Sequence, residues 1–188
     1  MSSRAALFAI GTNTCLYRTE KRLHLSPAPS PPGTPLRYTQ TMPAPQQIAA
    51  RIQRWGTSGP QGPMTLEIYP TLACNLDCVF CDTTDRHRPP VDELSTERWL
   101  TIIEEAAAMG VQRVFVLGGG EPLLRKDTPI LLSRIKSLSM EGILTTNGTR
   151  LSPSLGEKLI DWGWDEIHFS VDGPTPEIHD ALRGQHGA

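Results

Sequence analysis

The sequence predicts an α/β fold on a parallel sheet, and three observations lead there. Beyond Met64, four β-prone runs alternate with three amphipathic helical patterns. The connections between them are short, which calls for parallel pairing through helical crossovers. The run at 111–117 contains Val-Phe-Val-Leu, apolar enough for a strand buried on both faces. A parallel sheet binds ligands beyond the carboxyl ends of its strands. The loops after Tyr69, Leu117, Thr146 and Val171 are therefore expected to converge on one site.

The first sixty residues have a different texture. Residues 7–10 and 15–18 read as two short strands around 11–14. The stretch 26–35 holds Pro27, Pro29, Pro31, Pro32 and Pro35, too few backbone donors for a helix or a central strand. A short helix is expected over 46–55, between Pro45 and Gly56, and 59–63 is a second breaker cluster. The boundary falls there: 1–63 is a Pro-rich, partly disordered N-terminal segment, and 64–188 is the core domain. In that domain the first strand is expected over 65–69. A helix over 95–109 follows, with Ser95 as cap, Glu97 in its first turn, Gly110 as stop, and Leu100, Ile103 and Ala107 on one face. After the strand at 111–117 comes a helix over 128–141, with Pro129 in its first turn and Leu131, Ile135 and Leu138 on one stripe. The third strand is placed at 143–146. Ser152-Pro153 opens the next helix, with Leu155, Leu159 and Trp162 in helical register. The fourth strand covers 166–171, and 180–183 belong to a last helix.

Composition excludes several classes. The formal net charge of −2, with 20% charged residues, fits neither a basic nucleic-acid binder nor an acidic tail. No apolar run reaches the roughly 18 residues of a membrane span, so no membrane partner is expected. Residues 1–10 hold one arginine and too short an apolar run for a secretory signal, which places the chain in a reducing cytoplasm. Of four cysteines, Cys15 stands alone, while Cys74, Cys78 and Cys81 are grouped. Three neighbouring cysteines make a poor disulfide framework and read better as metal ligands.

The grouped cysteines lie just after the first strand, in Cys74-Asn-Leu-Asp-Cys78-Val-Phe-Cys81. Two chemistries fit this loop. With His87 as fourth ligand it makes a closed zinc site, the mark of an interaction module. Alternatively, three thiolates on an iron–sulfur cubane leave one iron open to a substrate. The loop after the second strand reads Gly118-Gly119-Gly120-Glu121-Pro122. Successive glycines let a ligand approach the main chain, and a carboxylate can accept from an ammonium. The zinc reading leaves this second motif unexplained.

Together these motifs resemble the radical S-adenosylmethionine (radical SAM) enzymes. Cys-x3-Cys-x2-Cys after the first strand, with Phe80 before the last cysteine, is similar to that superfamily's cluster loop, and Gly119-Gly120-Glu121 to its methionine-binding motif. Thr145-Thr146-Asn147-Gly148 and Ser170-Val-Asp172-Gly173 look like its third and fourth strand ends. The stretch 170–184, with Glu177, His179, Asp180, Arg183 and Gly184, is most similar to members that modify peptides and proteins. The resemblance spans about 65–184 and implies a partial (β/α) barrel. It implies that Cys74, Cys78 and Cys81 ligate a [4Fe-4S] cluster whose open iron chelates S-adenosylmethionine. Gly119, Gly120 and Glu121 would hold the methionine ammonium, and Phe80 would lie near the adenine. Asn147, Ser170 and Asp172 would contact the ribose or the carboxylate. The implied reaction is reductive cleavage of S-adenosylmethionine to a 5′-deoxyadenosyl radical, which abstracts a hydrogen from a substrate such as a peptide side chain. An electron donor of flavodoxin or ferredoxin type is implied as partner.

Against the family's six βα units this chain shows about four, so it is expected to be a fragment, a truncated product or one half of a split enzyme, able to assemble the cluster loop but unstable and weakly active or inactive by itself. Other residues take plainer readings. His24 is solvated, His168 faces a helix or a pocket, and His179 is either near the substrate or a helix-start surface residue. Trp162 and Trp164 are core or interface aromatics, and Cys15 is a free thiol.

Overall fold

The structure is a computed structural model. It describes residues 45–59, 61–82 and 92–188, and the backbone alone of 9–10, 14–15, 18–19 and 22–23. The expectations for 26–35, His24 and His87, and for the side chain of Cys15, lie outside the described residues.

Four parallel strands form one sheet in sequence order: β1 (Thr65–Ile68), β2 (Arg113–Val116), β3 (Glu141–Thr146) and β4 (Glu166–Phe169). The register aligns Ile68 with Val116, Val116 with Leu144, and Thr146 with Phe169, which brings the strands' carboxyl ends level. The helices are α1 (Pro45–Ser58), α2 (Thr96–Ala108), α3 (Thr128–Ser137), α4 (Pro153–Asp161) and α5 (Pro176–Arg183). One core joins Ile68, Val114, Val116 and Leu144 of the sheet to Ile103 and Ala106 of α2, Leu131, Leu132 and Ile135 of α3, and Leu155 and Leu159 of α4. Each of the Val, Leu and Ile side chains among them contributes about 1.5–3 kcal/mol by leaving water. The other sheet face is open at its edge strands, where Glu67 and His168 are exposed, while Phe115 and Thr145 are half-buried and Ile143 between them is fully buried.

Local chemistry explains most element ends. The Ser95 hydroxyl accepts from Arg98 N (3.2 Å), and that of Ser152 accepts from Leu155 N (3.2 Å). Gly110 follows α2 at φ +87°. The helix expected over 128–141 ends instead at Ser137, because Ser139 turns left-handed (φ 59°). Glu141 belongs to β3, opposite Arg113, whose Nε donates to its carboxylate at 2.8 Å. The strands expected at 111–117 and 166–171 are shorter, and β3 starts earlier than 143. The helix expected over 46–55 runs from Pro45 to Ser58, past Gly56, and buries no residue. Residues 176–179 join 180–183 in α5. Near the N-terminus Ala9–Ile10 pairs with Thr14–Cys15, and Arg18–Thr19 with Arg22–Leu23, both antiparallel. Trp164 packs its ring over Gly142 and donates Nε1–H to the Glu166 carbonyl at 2.8 Å, so both Trp162 and Trp164 line the core. Among the described residues, no helix is long and apolar enough to cross a membrane.

Candidate functional site

Two loops meet at the carboxyl end of the sheet. The cysteine loop follows β1 and the glycine turn follows β2. Their main chains bond directly: Gly120 N donates to Thr71 O (3.2 Å) and Glu121 N to Ala73 O (2.9 Å). The glycines make this possible. A Cβ at 120 would lie 2.0 Å from the Ala73 carbonyl oxygen, and one at 119 would lie 2.4 Å from the Leu72 side chain. The close approach expected for these glycines is thus made by the chain itself, and it seats the thiol loop on the turn.

Glu121 then locks the turn to the end of β3. Its residue is 2% exposed. One carboxylate oxygen accepts from Leu123 N (2.9 Å) and the Thr146 hydroxyl (2.6 Å), the other from Asn147 N (2.7 Å). Asn147 in turn donates its side-chain amide to Asn75 Oδ1 (3.2 Å) in the cysteine loop, and Asn75 donates to Thr149 Oγ1 (2.9 Å). Ser170 N donates to Thr146 O (3.0 Å), which places Ser170 beside the same strand end.

The base of the cysteine loop is held from below. Arg125 donates to the Pro70 carbonyl (3.1 Å) and grips both oxygens of Asp127, at 2.7 and 2.8 Å. Thr71 donates to Glu93 and accepts from Ala73 N at 3.0 Å. The far half of the loop is held by α5. Asp77 N donates to Arg183 O (3.1 Å) and Val79 N to Leu182 O (3.0 Å). The Arg183 Nη1 lies 3.6 Å from Cys78 Sγ, and its Nε lies 2.7 Å from Asp172 Oδ2. Its guanidinium carbon is 5.6 Å from the centre of the Phe80 ring, which is otherwise largely exposed. His179 braces this corner, accepting from Asp172 N through Nδ1 at 3.2 Å.

The thiols of Cys74 and Cys81 are partly buried and that of Cys78 is buried; none of the three is in a disulfide. Burial pushes the Cys74 thiol pKa up, and the charges of Glu121 and Cys78 add to it, while the Leu76 N–H opposes them.

The family model described as the Radical SAM superfamily matches residues 68–188. The chain belongs to the radical SAM superfamily. It is similar to the AdoMet-dependent heme synthase of Methanosarcina barkeri, with 37% identity over 63% of this chain and 34% of that one. It is similar to the mycofactocin maturase MftC of Mycobacterium tuberculosis, with 36% identity over 67% of this chain and 32% of that one. Among solved structures, SuiB of Streptococcus suis bound to S-adenosylmethionine superposes with a TM-score of 0.60 at 26% identity, over 75% of this chain and 33% of that one. The chain thus spans about a third of the length of the curated relatives it matches. The four parallel strands are those of a radical SAM partial barrel.

A [4Fe-4S] cluster fits the radical SAM loop seen here by its donor set. Among the described residues, no three His, Cys, Asp or Glu side chains gather tightly enough for a single metal ion. Three thiols, with an N–H donor on one sulfur (Leu76 N to Cys74 Sγ, 3.5 Å), suit such a cluster and leave one corner without a protein ligand. The radical SAM motifs thus all lie at the strand ends and in the loops at one end of the sheet. What sequence reasoning missed are the residues that fix those loops: Thr71, Asn75 and Arg125. Arg183 was visible only as part of the 170–184 resemblance, with no role. Nothing in the sequence sets Arg125 or Asn75 apart from an ordinary surface residue.

Proposed function

We propose that residues 64–188, following the segment 1–63, form the cofactor-binding part of a cytoplasmic radical SAM enzyme that modifies a peptide. Cys74, Cys78 and Cys81 hold the cluster. When bound, the cluster and S-adenosylmethionine supply reductive cleavage to a 5′-deoxyadenosyl radical, the species that abstracts a substrate hydrogen. The chain's own residues bind and orient. A carboxylate has about four lone-pair sites, and three bonds to Glu121 leave one for the methionine ammonium, beside Gly119 and Gly120. Asn147 and Ser170, at the ends of β3 and β4, face the ribose and carboxylate. Phe80 offers an exposed ring to the adenine. Asp172 acts through Arg183. An electron donor of flavodoxin or ferredoxin type delivers the electron. For the peptide substrate, the support is the relative named a maturase and SuiB, also solved bound to its precursor peptide SuiA.

The observation that carries this reading is the main-chain seat of the thiol loop on the glycine–glutamate turn. Anaerobic reconstitution followed by iron and sulfide analysis tests it. The expected result is about four irons and four sulfides per chain, with S-adenosylmethionine binding to the reconstituted chain. One zinc per chain and no iron uptake would sink it in favour of the Cys3His interaction module.

A further inference from the structure

We propose that Arg183 is a positioning residue that sets the reduction potential of the cluster through Cys78, with Asp172 as its counter-charge; this rests on the three cysteines holding that cluster.

Arg183 is a charged side chain only 8% exposed, at the end of α5, a helix otherwise on the surface. A cation at that depth is costly unless its charge is answered. It is answered on two sides. Behind it, Nε lies 2.7 Å from Asp172 Oδ2, though Nε itself makes no well-directed hydrogen bond, so charge rather than direction holds the pair. In front, Nη1 points at Cys78 Sγ from 3.6 Å.

The backbone fixes this aim. The residues on either side of Cys78 donate to 182 and 183: Asp77 N to Arg183 O and Val79 N to Leu182 O. Gly184, at φ +68°, lets the chain pass so near that a Cβ there would lie 2.1 Å from the Asp77 carbonyl oxygen. These contacts fix the backbone of Arg183 against the thiol loop, and the pair with Asp172 and the Phe80 ring set its guanidinium beside the sulfur. The arrangement keeps α5 and the thiol loop in one register.

Charge then decides the effect. Reducing a cluster adds one electron, so the reduced form is the more negative, and a cation on a ligating sulfur favours it. Hydrogen bonds to the sulfurs and net local charge are known levers on such potentials. Asp172 lies on the far side of the guanidinium and weakens its field at the sulfur. Removing Arg183 and neutralising Asp172 must therefore shift the potential in opposite directions. A role in packing alone predicts no such opposition.

The test is a potentiometric titration of the reconstituted 188-residue chain without S-adenosylmethionine, followed by electron paramagnetic resonance with an external one-electron reductant. Arg183→Met is expected to lower the midpoint by about tenfold in the reduction equilibrium, 59 mV for one electron. Arg183→Lys should restore much of that loss, and Asp172→Asn should raise the midpoint above wild type. Should Arg183→Met assemble no cluster, the lysine and asparagine variants still report the sign. Equal midpoints in all variants, or shifts of Arg183→Met and Asp172→Asn in the same direction, would overturn the proposal alone. Failure of the wild-type chain to take up any cluster would overturn the functional reading and this proposal with it.

Discussion

Glu121 shows how a single buried carboxylate joins three strands' worth of structure. It accepts from Leu123 N, the Thr146 hydroxyl and Asn147 N, while its own N–H reaches back to Ala73 O. Bonds to a charged acceptor contribute about 1.5–3 kcal/mol each, and orphaned buried donors cost a similar amount. Glu121→Ala should therefore destabilise the apo chain by about 3 kcal/mol, and Glu121→Gln by about half that, read from urea denaturation midpoints. A loss no larger than a surface substitution would show that the three bonds exchange freely with water. Gly120 makes a sharper case, since the obstacle to a side chain is backbone, the Ala73 carbonyl. Gly120→Ala should leave the helix content by circular dichroism unchanged yet lower iron uptake on reconstitution, because the thiol loop is lifted off its seat. The sequence exposed Gly119, Gly120 and Glu121 as a motif. It did not expose that the glycines admit another part of the same chain, because a partner 47 residues away in sequence leaves no local mark.

At the scale of elements, the knot under the cysteine loop joins α2, α3 and the end of β1. Arg125 grips Asp127 and the Pro70 carbonyl, and Thr96 at the start of α2 donates to the same Asp127. Arg125 and then Thr96 hold the Asp127 carboxyl down, from 3.8 to about 2, against the opposing effect of burial. A carboxyl with a lowered folded pKa stabilises the fold above its unfolded value and loses that stabilisation as pH falls. Wild type should exceed Asp127→Asn by about 1–2 kcal/mol near neutrality, solvent screening allowed for. The gap should close between pH 3.8 and about 2. A gap that stays constant across that window would assign the effect to packing. The helix caps were legible because their signals are local: Ser95 and Ser152 each stand one residue before their helix. Ser95→Ala should cost about 1 kcal/mol. The end of α3 was not legible, because Leu138, Met140 and Glu141 continue a helical pattern. What stops it is Ser139 in a left-handed turn and the pairing of Glu141 with Arg113 across the sheet.

Over the whole molecule, the apolar core and the site occupy different parts of the same sheet. Core residues lie along the strands and under the helices, whereas the thiols, the glycine turn and Asn147 lie on loops past the strand ends. That division explains why both were readable by separate routes. The 2-versus-3.6 periodicity reports burial, and the cysteine and glycine spacing reports chemistry. Neither reports how one loop is held against another, which is where Thr71, Asn75, Arg125 and Arg183 act. The division also makes a prediction about independence. Ile135, fully buried in α3, should cost about 3 kcal/mol on substitution by alanine and lower the thermal midpoint. Cys74 and Cys81 are only partly buried, so the double variant Cys74→Ser/Cys81→Ser should match the apo wild type within about 0.5 kcal/mol. It should nonetheless bind no stable cluster, having one thiolate left in the loop. Calorimetry of the apo chains beside iron analysis after reconstitution checks both halves. If the serine variant melted as early as Ile135→Ala, the thiol loop would be part of the folding unit, and core and site could not be separated in this sheet.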